Sequence, residues 1–184
     1  MGLSYSEQAA RLRVPLGFAL GVAYLVLAQP TLRLLGIGAA IALAGLVARG
    51  WAAGCLDKNQ RLATGGPYAY TRNPLYLGSL LLGLGFAVAG GSWALGIAFL
   101  ALFLLVYWPV MRREEDFLRQ TFGEVYDRYA VAVPFLFPVR SKAAPTAEEG
   151  GGFQWARYKR NREYQAALGY VAGVVLLVLK LALR

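Results

Sequence analysis

Two residue types that often serve in catalysis and metal binding are nearly missing from this sequence. Its 184 residues include no histidine and one cysteine, Cys55. The absence of histidine excludes a serine–histidine triad and general-base catalysis by an imidazole. A single cysteine forms no disulfide within the chain, and without histidine partners a metal site is not expected. We therefore predict no bound metal and assign Cys55 a packing role.

Charged residues are also scarce, whereas apolar residues are abundant. Charged residues make up 16% of the chain, hydrophobic residues 58%, and the mean hydropathy is +0.46. Soluble domains carry about 25% charged residues. Because the apolar residues also come in long runs, the composition indicates an integral membrane protein. The net charge of +9 does not predict nucleic-acid binding, since cytoplasmic loops and anionic headgroups explain excess Lys and Arg in such a protein.

The apolar runs predict an all-α protein with about five membrane helices. They lie near residues 14–29, 34–56, 75–89, 93–111 and 165–183. A span takes about 20 residues, so the first and third runs are short. A signal peptide is the competing interpretation of the first run, because two arginines precede it. We favour a retained helix, since no clear small-residue cleavage site follows and Gln29-Pro30-Thr31 predicts a turn into the next run.

The distribution of basic residues predicts the orientation in the membrane. Arg11 and Arg13 precede the first run, and most other basic residues fall within 58–72 and 112–162. If five helices alternate, all of these lie on one side, which the positive-inside rule assigns to the cytoplasm. We therefore expect an inner or plasma membrane protein with its N-terminus inside and its C-terminus outside.

Four parts follow one another along the chain. We assign residues 1–56 to the first two helices, 57–140 to a core with the next two helices and a cytoplasmic helical segment, 141–152 to a glycine-rich flexible loop, and 153–184 to an interfacial segment and the last helix. The interfacial segment mixes aromatic residues with Arg and Lys. We interpret it as an anchor with Trp155, Tyr158 and Tyr164 at headgroup depth, in preference to an RNA-binding segment.

The segment GPYAYTRNPLYLGS, residues 66–79, stands before the third apolar run. Because Pro74 restricts the residue before it to non-helical geometry, we expect the third helix to begin at Pro74 or Leu75, with Asn73 as its N-cap. Arg72 then lies just outside the positive end of that helix. Two interpretations stay open: a site for an anion or carboxylate, or a capped turn whose arginine binds lipid headgroups.

Two pairs of residues also have both a structural and a functional interpretation. Glu114 and Glu115 are adjacent, and neighbouring helical side chains point about 100° apart, so the two cannot face the same surroundings. Taken alone, they are explained by a solvated helix flanked by arginines, although a carboxylate at the bilayer edge is a functional candidate. Gly83 and Gly85 are explained by close helix packing, or by the close approach of a flat cofactor ring.

The sequence FGEVYDRYAVAVPFLFP, residues 122–138, follows the glutamate pair. Gly123 can break a helix, and Tyr126 and Tyr129 are three residues apart on one helical face. Residues 133–138 form an apolar stretch that contains two prolines. The segment is interpreted either as an amphipathic helix followed by a stretch lying on the membrane, or as a lid over a cofactor that enters from the cytosol.

In their order and spacing these blocks resemble the integral-membrane methyltransferases related to isoprenylcysteine carboxyl methyltransferase and the phospholipid N-methyltransferases. The matching blocks are GPYAYTRNPLYLG (66–78), the glutamate pair, Phe-Gly at 122–123, the two spaced tyrosines and VPFLFP (133–138). Together they cover roughly residues 50–138, and their combination is far more specific than any single block. The resemblance implies S-adenosylmethionine as the cofactor.

The resemblance also implies roles for particular residues. It assigns cofactor binding to Tyr68, Arg72, Asn73, Tyr76, Gly78, Gly83, Gly85, Glu114 and Glu115. It assigns catalytic roles to Arg72, Asn73 and Glu114. In this interpretation the arginine and the helix start hold the cofactor's carboxylate, and the glutamates hold its ammonium group or its ribose hydroxyls. Methyl transfer depends mainly on positioning, so a chain without histidine can support it.

One position departs from the family pattern, because Asn73 stands where the family has histidine. Asparagine donates and accepts hydrogen bonds but does not titrate near neutral pH. We therefore interpret this position as a hydrogen-bonding one. The change is also compatible with a subgroup that uses another substrate.

The expected acceptor is a lipophilic or lipid-linked molecule in the membrane. A carboxylate or thiol is slightly favoured because the chain has no histidine base, and a lipid amine stays possible. Two other functions stay open: a sterol-reductase-like membrane oxidoreductase, whose C-terminal module is similar, and a non-catalytic protein that binds lipid or a partner. The sequence does not predict the oligomeric state.

Overall fold

A computed structural model describes residues 5–57, 61–138 and 152–183, with side chains from residue 15 onward. Its helices are α1 (Tyr5–Leu27), α2 (Leu32–Cys55), α3 (Pro74–Ala89), α4 (Trp93–Leu102), α5 (Trp108–Phe122), α6 (Glu124–Ala132), α7 (Trp155–Arg160) and α8 (Tyr164–Ala182). A short 3₁₀ helix covers Gly66–Ala69. Apart from Gly152, the predicted flexible loop at 141–152 lies outside the described residues.

The helices confirm an all-α membrane protein. Three of them are long and apolar enough to cross a bilayer: Leu32–Cys55, the continuous helix Trp93–Phe122, and Tyr164–Ala182. The apolar helices Pro15–Leu27 and Pro74–Ala89 are shorter than the roughly 20 residues of a typical span. The prediction of about five spans is therefore supported for three helices and stays a prediction for the other two.

Local sequence explains where the central helices begin and end. Helix α3 starts at Pro74, as expected, because proline lacks an N–H that the first helical turn would leave unpaired. Gly90 and Gly91 form the turn after α3, and Gly91 has a φ of +63°, which glycine tolerates best. Ser92 then caps α4 by accepting a hydrogen bond from the N–H of Leu95 at 3.5 Å.

The helix Trp93–Phe122 changes its winding in the middle. Residues Phe103–Tyr107 form a π-helical turn between α4 and α5. Phe103 and Tyr107 stack there, with ring centroids 5.3 Å apart. Such turns insert one residue without ending the helix, so α5 continues past the apolar run that ends near residue 111.

The chain divides into two compact units. The first comprises residues 1–44, 80–114 and 169–184, and the second comprises residues 45–79 and 115–168. Within the first unit, four buried residues from four helices form an apolar core together with Ala28, which directly follows α1: Leu35, Ala89, Leu95 and Leu177. Tyrosine hydroxyls add interhelical hydrogen bonds, from Tyr24 to the Phe86 carbonyl at 2.7 Å and from Tyr170 to the Ala39 carbonyl at 3.1 Å.

The first unit also contains an apolar cavity of about 280 Å³. Aromatic side chains of Tyr24, Phe86 and Phe99 line it together with several glycines. A Cβ on Gly21 or Gly169 would meet nothing within 4 Å, so these glycines leave space that no neighbouring side chain fills. The cavity is thus lined by hydrocarbon and backbone, and it is open towards the surface of the unit.

In the second unit the segment after residue 152 docks on the C-terminal end of α2. The side-chain amide of Asn161 donates to the carbonyls of Ala53 and Leu56 at 2.8 and 3.1 Å. The N–H of Gln154 donates to the Gly54 carbonyl at 2.9 Å. These bonds satisfy carbonyls that the last turn of a helix leaves unpaired. The predicted headgroup anchoring of this segment stays a prediction.

The close contact of Gly85 with α2 can be tested by substitution. A Cβ at Gly85 would lie 2.6 Å from the Gly38 carbonyl oxygen, whereas a Cβ at Gly36 would meet nothing within 4 Å. We expect Gly85→Leu to lower the free energy of unfolding by about 1–3 kcal/mol through overpacking. Gly36→Leu, the matched control, should leave it nearly unchanged. Thermal unfolding in detergent measures both, and equal effects of the two changes would contradict the packing role.

Candidate functional site

The turn before α3 is fixed by hydrogen bonds to a non-helical segment that follows α6. The hydroxyl of Thr71 donates to the Leu136 carbonyl at 2.8 Å, and the N–H of Arg72 donates to the Pro134 carbonyl at 2.9 Å. The side-chain amide of Asn73 donates to the carbonyl of Phe135, also at 2.8 Å. Three successive residues of the turn, 71–73, are therefore held by three successive carbonyls, 134–136.

The sequence explains why those carbonyls are available. Helix α6 ends at Ala132, and Val133 is extended, as expected for a residue before proline. Beyond Pro134 the backbone is not helical, so its carbonyls need other partners. Asn73 supplies one of them through a neutral amide. This contact agrees with the interpretation of Asn73 as a hydrogen-bonding position.

A buried charge cluster lies beside this turn. The Arg72 guanidinium forms an ion pair with the Glu115 carboxylate, and their side chains are 13% and 7% exposed. The hydroxyl of Tyr126 donates to the same carboxylate oxygen at 3.2 Å. The sequence had suggested that Arg72 and the glutamates hold different ends of a cofactor. In the structure one arginine and one glutamate are in direct contact.

The Nε–H of Arg72 does not take part in these contacts. Within the part of the chain that the structure describes, its Nε–H is buried and has no hydrogen-bond partner. The centre of the guanidinium lies 5.5 Å from the centroid of the Phe135 ring, within the range of a cation–π contact. A buried donor without an acceptor lowers the stability of the folded protein. The Nε–H is therefore a candidate to bind an acceptor from outside the described residues, such as a ligand.

Two tyrosines of α6 pack against the cluster and the turn. Tyr126 and Tyr129 are both buried, and their rings meet edge to face at 6.1 Å. The hydroxyl of Tyr129 donates to the Tyr68 carbonyl at 2.8 Å. Burial, and next the negative charge of Glu115, raises the pKa of Tyr126 to about 12. Burial likewise raises the pKa of Tyr129, so both hydroxyls stay protonated donors at neutral pH.

The two glutamates differ in their surroundings, as their spacing predicted. Glu115 is buried in the cluster, whereas Glu114 is exposed. Glu114 also belongs to the first unit, together with Gly83 and Gly85. In that unit Gly83 faces the Phe99 ring and Gly85 packs on the backbone of α2, so helix packing accounts for both glycines.

Other residues assigned by the resemblance lie in the second unit. Tyr68 is buried in the 3₁₀ helix, and Tyr76 is half-buried in the first turn of α3. Gly78 lies against α2, where an added Cβ would be 2.5 Å from Cγ of Arg49 and 2.8 Å from the Gly45 carbonyl oxygen. The structure therefore assigns Gly78 a packing role between α3 and α2.

Sequence reasoning missed Arg49 and Glu163. Nε of Arg49 lies 2.5 Å from the Glu163 carboxylate, and Nη1 of Arg49 donates to the Ser79 hydroxyl. One signal was present, because an arginine deep inside a long apolar helix is rare and marks a functional or structural site. Its partner could not be identified from the sequence, since 114 positions separate the two residues.

Comparisons with known proteins point to the family that the sequence motifs resemble. Residues 19–125 match the phospholipid methyltransferase family. The chain is 37% identical over 110 residues to the cobalt-zinc-cadmium resistance protein CzcN of Cupriavidus metallidurans, covering 59% of this chain and 48% of that protein. It is 33% identical over 87 residues to a protein-S-isoprenylcysteine O-methyltransferase of Schizosaccharomyces pombe, covering 45% and 35%.

A reductase is also among the relatives. The chain is 35% identical over 109 residues to the steroid 5-alpha-reductase DET2 of Solanum lycopersicum, covering 55% of this chain and 42% of that protein. In each of these relatives the match spans less than half of the protein's length. No solved structure gives a significant match.

The raised pKa of Tyr126 predicts how stability depends on pH. The pKa of an unfolded tyrosine is ~10, and the pKa of Tyr126 in the folded protein is raised to about 12. The contribution of Tyr126 is therefore fully present below pH ~10 and is lost as the pH rises through the folded pKa. We expect Tyr126→Phe to make this alkaline loss of stability shallower, whereas Tyr70→Phe, at an exposed tyrosine, leaves it unchanged. Unfolding experiments across this pH range measure the slope, and identical slopes would contradict the assignment.

Proposed function

The chain belongs to the phospholipid methyltransferase family, and from that premise we propose that it is an S-adenosylmethionine-dependent methyltransferase acting on a lipophilic acceptor in the membrane. The observation that carries the proposal is the buried Arg72–Glu115–Tyr126 cluster, in which the Nε–H of Arg72 has no acceptor among the described residues. The relatives support the reaction class, because one of them is named as an O-methyltransferase.

The cluster fits the chemistry of this cofactor. S-adenosylmethionine has a carboxylate and an ammonium group on the same carbon, so it needs a cation and an anion close together. Arg72 would hold the carboxylate through its unpaired Nε–H, and Glu115 would hold the ammonium group. An arginine fork is suited to a carboxylate because its donors are planar and fixed.

The ion pair itself keeps the binding site intact before the cofactor arrives. A lone charge at this depth would carry a large desolvation penalty, which its partner offsets. Tyr126 and the Phe135 ring limit the rotation of the two side chains. A zwitterion can then exchange partners with the pair without exposing either charge, so the site is preorganised for this class of ligand.

When bound, the cofactor supplies an electrophilic methyl group on a sulfonium sulfur. The residues of the second unit act by orientation and by exclusion of water, which can supply most of the rate enhancement in a displacement. Thr71, Asn73 and the carbonyls of residues 134–136 fix the position of Arg72. We propose that Asn73 holds this turn in place through its amide, and that the cofactor enters from the cytosol.

The acceptor is proposed to be lipid-like, with its reacting group in the carboxylate or thiol class and a lipid amine as the alternative. A carboxylate needs no deprotonation at neutral pH, which suits a chain without histidine. The apolar cavity of the first unit, lined by Tyr24, Phe86 and Phe99, supports a hydrocarbon-bearing molecule.

Binding of S-adenosylhomocysteine to detergent-purified protein tests the cofactor site. We expect the wild type to bind, and Arg72→Gln or Glu115→Gln to weaken binding by about 30-fold or more, since each removes a charge that would hold the cofactor and leaves the opposite buried charge without its ion-pair partner. Glu114→Gln makes the same chemical change at the adjacent exposed position. The resemblance assigns a role to both glutamates, and because Glu115 is the buried one, we expect Glu114→Gln to change binding little. Calorimetry measures the affinity. A folded wild type that does not bind contradicts the proposal, and an equal loss in both glutamate variants would contradict the role of Glu115.

The steroid reductase relative supports a second candidate, a membrane oxidoreductase that uses a nicotinamide cofactor. Titration with NADPH under the same conditions separates the two, because a methyltransferase site should bind S-adenosylhomocysteine and not NADPH. Incubation with membrane extract and methyl-labelled cofactor then tests turnover. Label appearing in a lipid fraction supports an enzyme, and binding without turnover on any fraction supports a non-catalytic lipid-binding protein.

A further inference from the structure

Arg49 lies in α2 and joins three parts of the second unit. Its Nε and Nη2 face the two carboxylate oxygens of Glu163 at 2.5 and 3.1 Å, a bidentate arrangement. Glu163 immediately precedes α8, where a negative charge is favoured by the helix dipole. The side chains of Arg49 and Glu163 are 23% and 7% exposed. Two of the three guanidinium nitrogens are thus used to hold the start of the last helix.

The third nitrogen of Arg49 holds the start of α3. Its Nη1 donates to the Ser79 hydroxyl and lies 3.4 Å from the Leu75 carbonyl oxygen. The Ser79 hydroxyl in turn donates to the same carbonyl at 2.8 Å. Arg49 therefore acts on the first two turns of α3, only a few residues after Arg72 and Asn73.

The backbone at Gly78 makes this contact possible. The stem of Arg49 passes so close to α3 that a Cβ at Gly78 would be 2.5 Å from its Cγ. Glycine at this position lets α3 approach α2 and brings Ser79 within reach of the guanidinium. The Gly-Ser pair that ends the segment 66–79 is therefore explained by Arg49.

We propose that Arg49 is a positioning residue for the cofactor site, acting through the first turns of α3, with Glu163 holding its guanidinium in place. The turn at 71–73 is fixed on one side by the carbonyls of residues 134–136. Arg49 supplies the second constraint, beyond Pro74, and prevents α3 from rotating about its axis. Together the two constraints determine where Arg72 meets Glu115. This inference rests on the proposed function, because the site being positioned is the cofactor site.

A matched control lies in the same unit. Arg157 and Asp57 form another buried ion pair, with 3.5 Å between the groups and side chains 8% and 13% exposed. This pair joins α7 to Asp57, two residues after the end of α2. It does not involve α3, which Arg49 contacts directly. Arg157→Gln therefore removes one buried cation of the C-terminal segment, while Asp57 keeps its ion pair with Arg160. The contacts of Arg49 with Ser79 and Leu75 stay in place.

The experiment compares Arg49→Gln, Glu163→Gln and Arg157→Gln for thermal stability and for binding of S-adenosylhomocysteine. We expect all three to lower the melting temperature. Only the first two should weaken binding, by about 3- to 30-fold, as for a residue that acts through others. Equal affinities in Arg49→Gln and Arg157→Gln would overturn the proposal.

A charge exchange separates the ion pair from the contact with α3. In the double variant Arg49→Glu with Glu163→Arg, the two charges still attract, so we expect part of the lost stability to return. A glutamate at position 49 cannot donate to the Leu75 carbonyl, so the affinity for S-adenosylhomocysteine should stay low. Full recovery of affinity would show that the ion pair alone matters and would contradict positioning through α3.

Hydrogen exchange tests positioning without any ligand. We expect Arg49→Gln to speed amide exchange in a peptide covering residues 75–79, and Arg157→Gln to leave it unchanged. Unchanged exchange in Arg49→Gln would refute the proposal whatever the protein binds. A folded wild type that fails to bind S-adenosylhomocysteine contradicts the proposed function alone, and the exchange result then decides the role of Arg49.

Discussion

The buried contact between Arg72 and Glu115 is the interaction on which the second unit depends. Neither charge is stable alone at this depth, so each fixes the other and the elements that carry them. The arginine belongs to the turn before α3, and the glutamate belongs to α5. The supporting contacts then follow: Tyr126 donates to the glutamate, and the backbone of the turn is bound by residues 134–136. Among the residues that the structure describes, the Nε–H of Arg72 has no hydrogen-bond acceptor.

The start of α3 is held from two directions. Before Pro74, three hydrogen bonds connect the turn at 71–73 with the segment after α6. After Pro74, Arg49 contacts Ser79 and the Leu75 carbonyl. The position of Arg72, just before the helix, depends on both constraints, because it is set by the axial rotation of α3 as well as by the path of the turn.

Sequence patterns predicted features that depend on neighbouring residues. The start of α3 at Pro74 follows from the steric effect of proline on the residue before it. The opposite environments of Glu114 and Glu115 follow from helical geometry. Sequence patterns could not assign a role to the glycines, because glycine allows both close helix packing and close approach of a ligand. Only coordinates show that Gly85 meets the backbone of α2 and that Gly78 meets Arg49.

The sequence by itself therefore determined the all-α membrane class and the start of α3, since these depend on composition, on the length of the apolar runs and on local sterics. The tertiary structure decided which charges meet. Arg72 pairs with Glu115 across 43 positions, and Arg49 pairs with Glu163 across 114. Such pairs are set by how helices pack and by the need to neutralise every buried charge, and no local pattern encodes the partner. For the same reason, Asn73 could be assigned a hydrogen bond from the sequence, whereas its acceptor, the Phe135 carbonyl, could not.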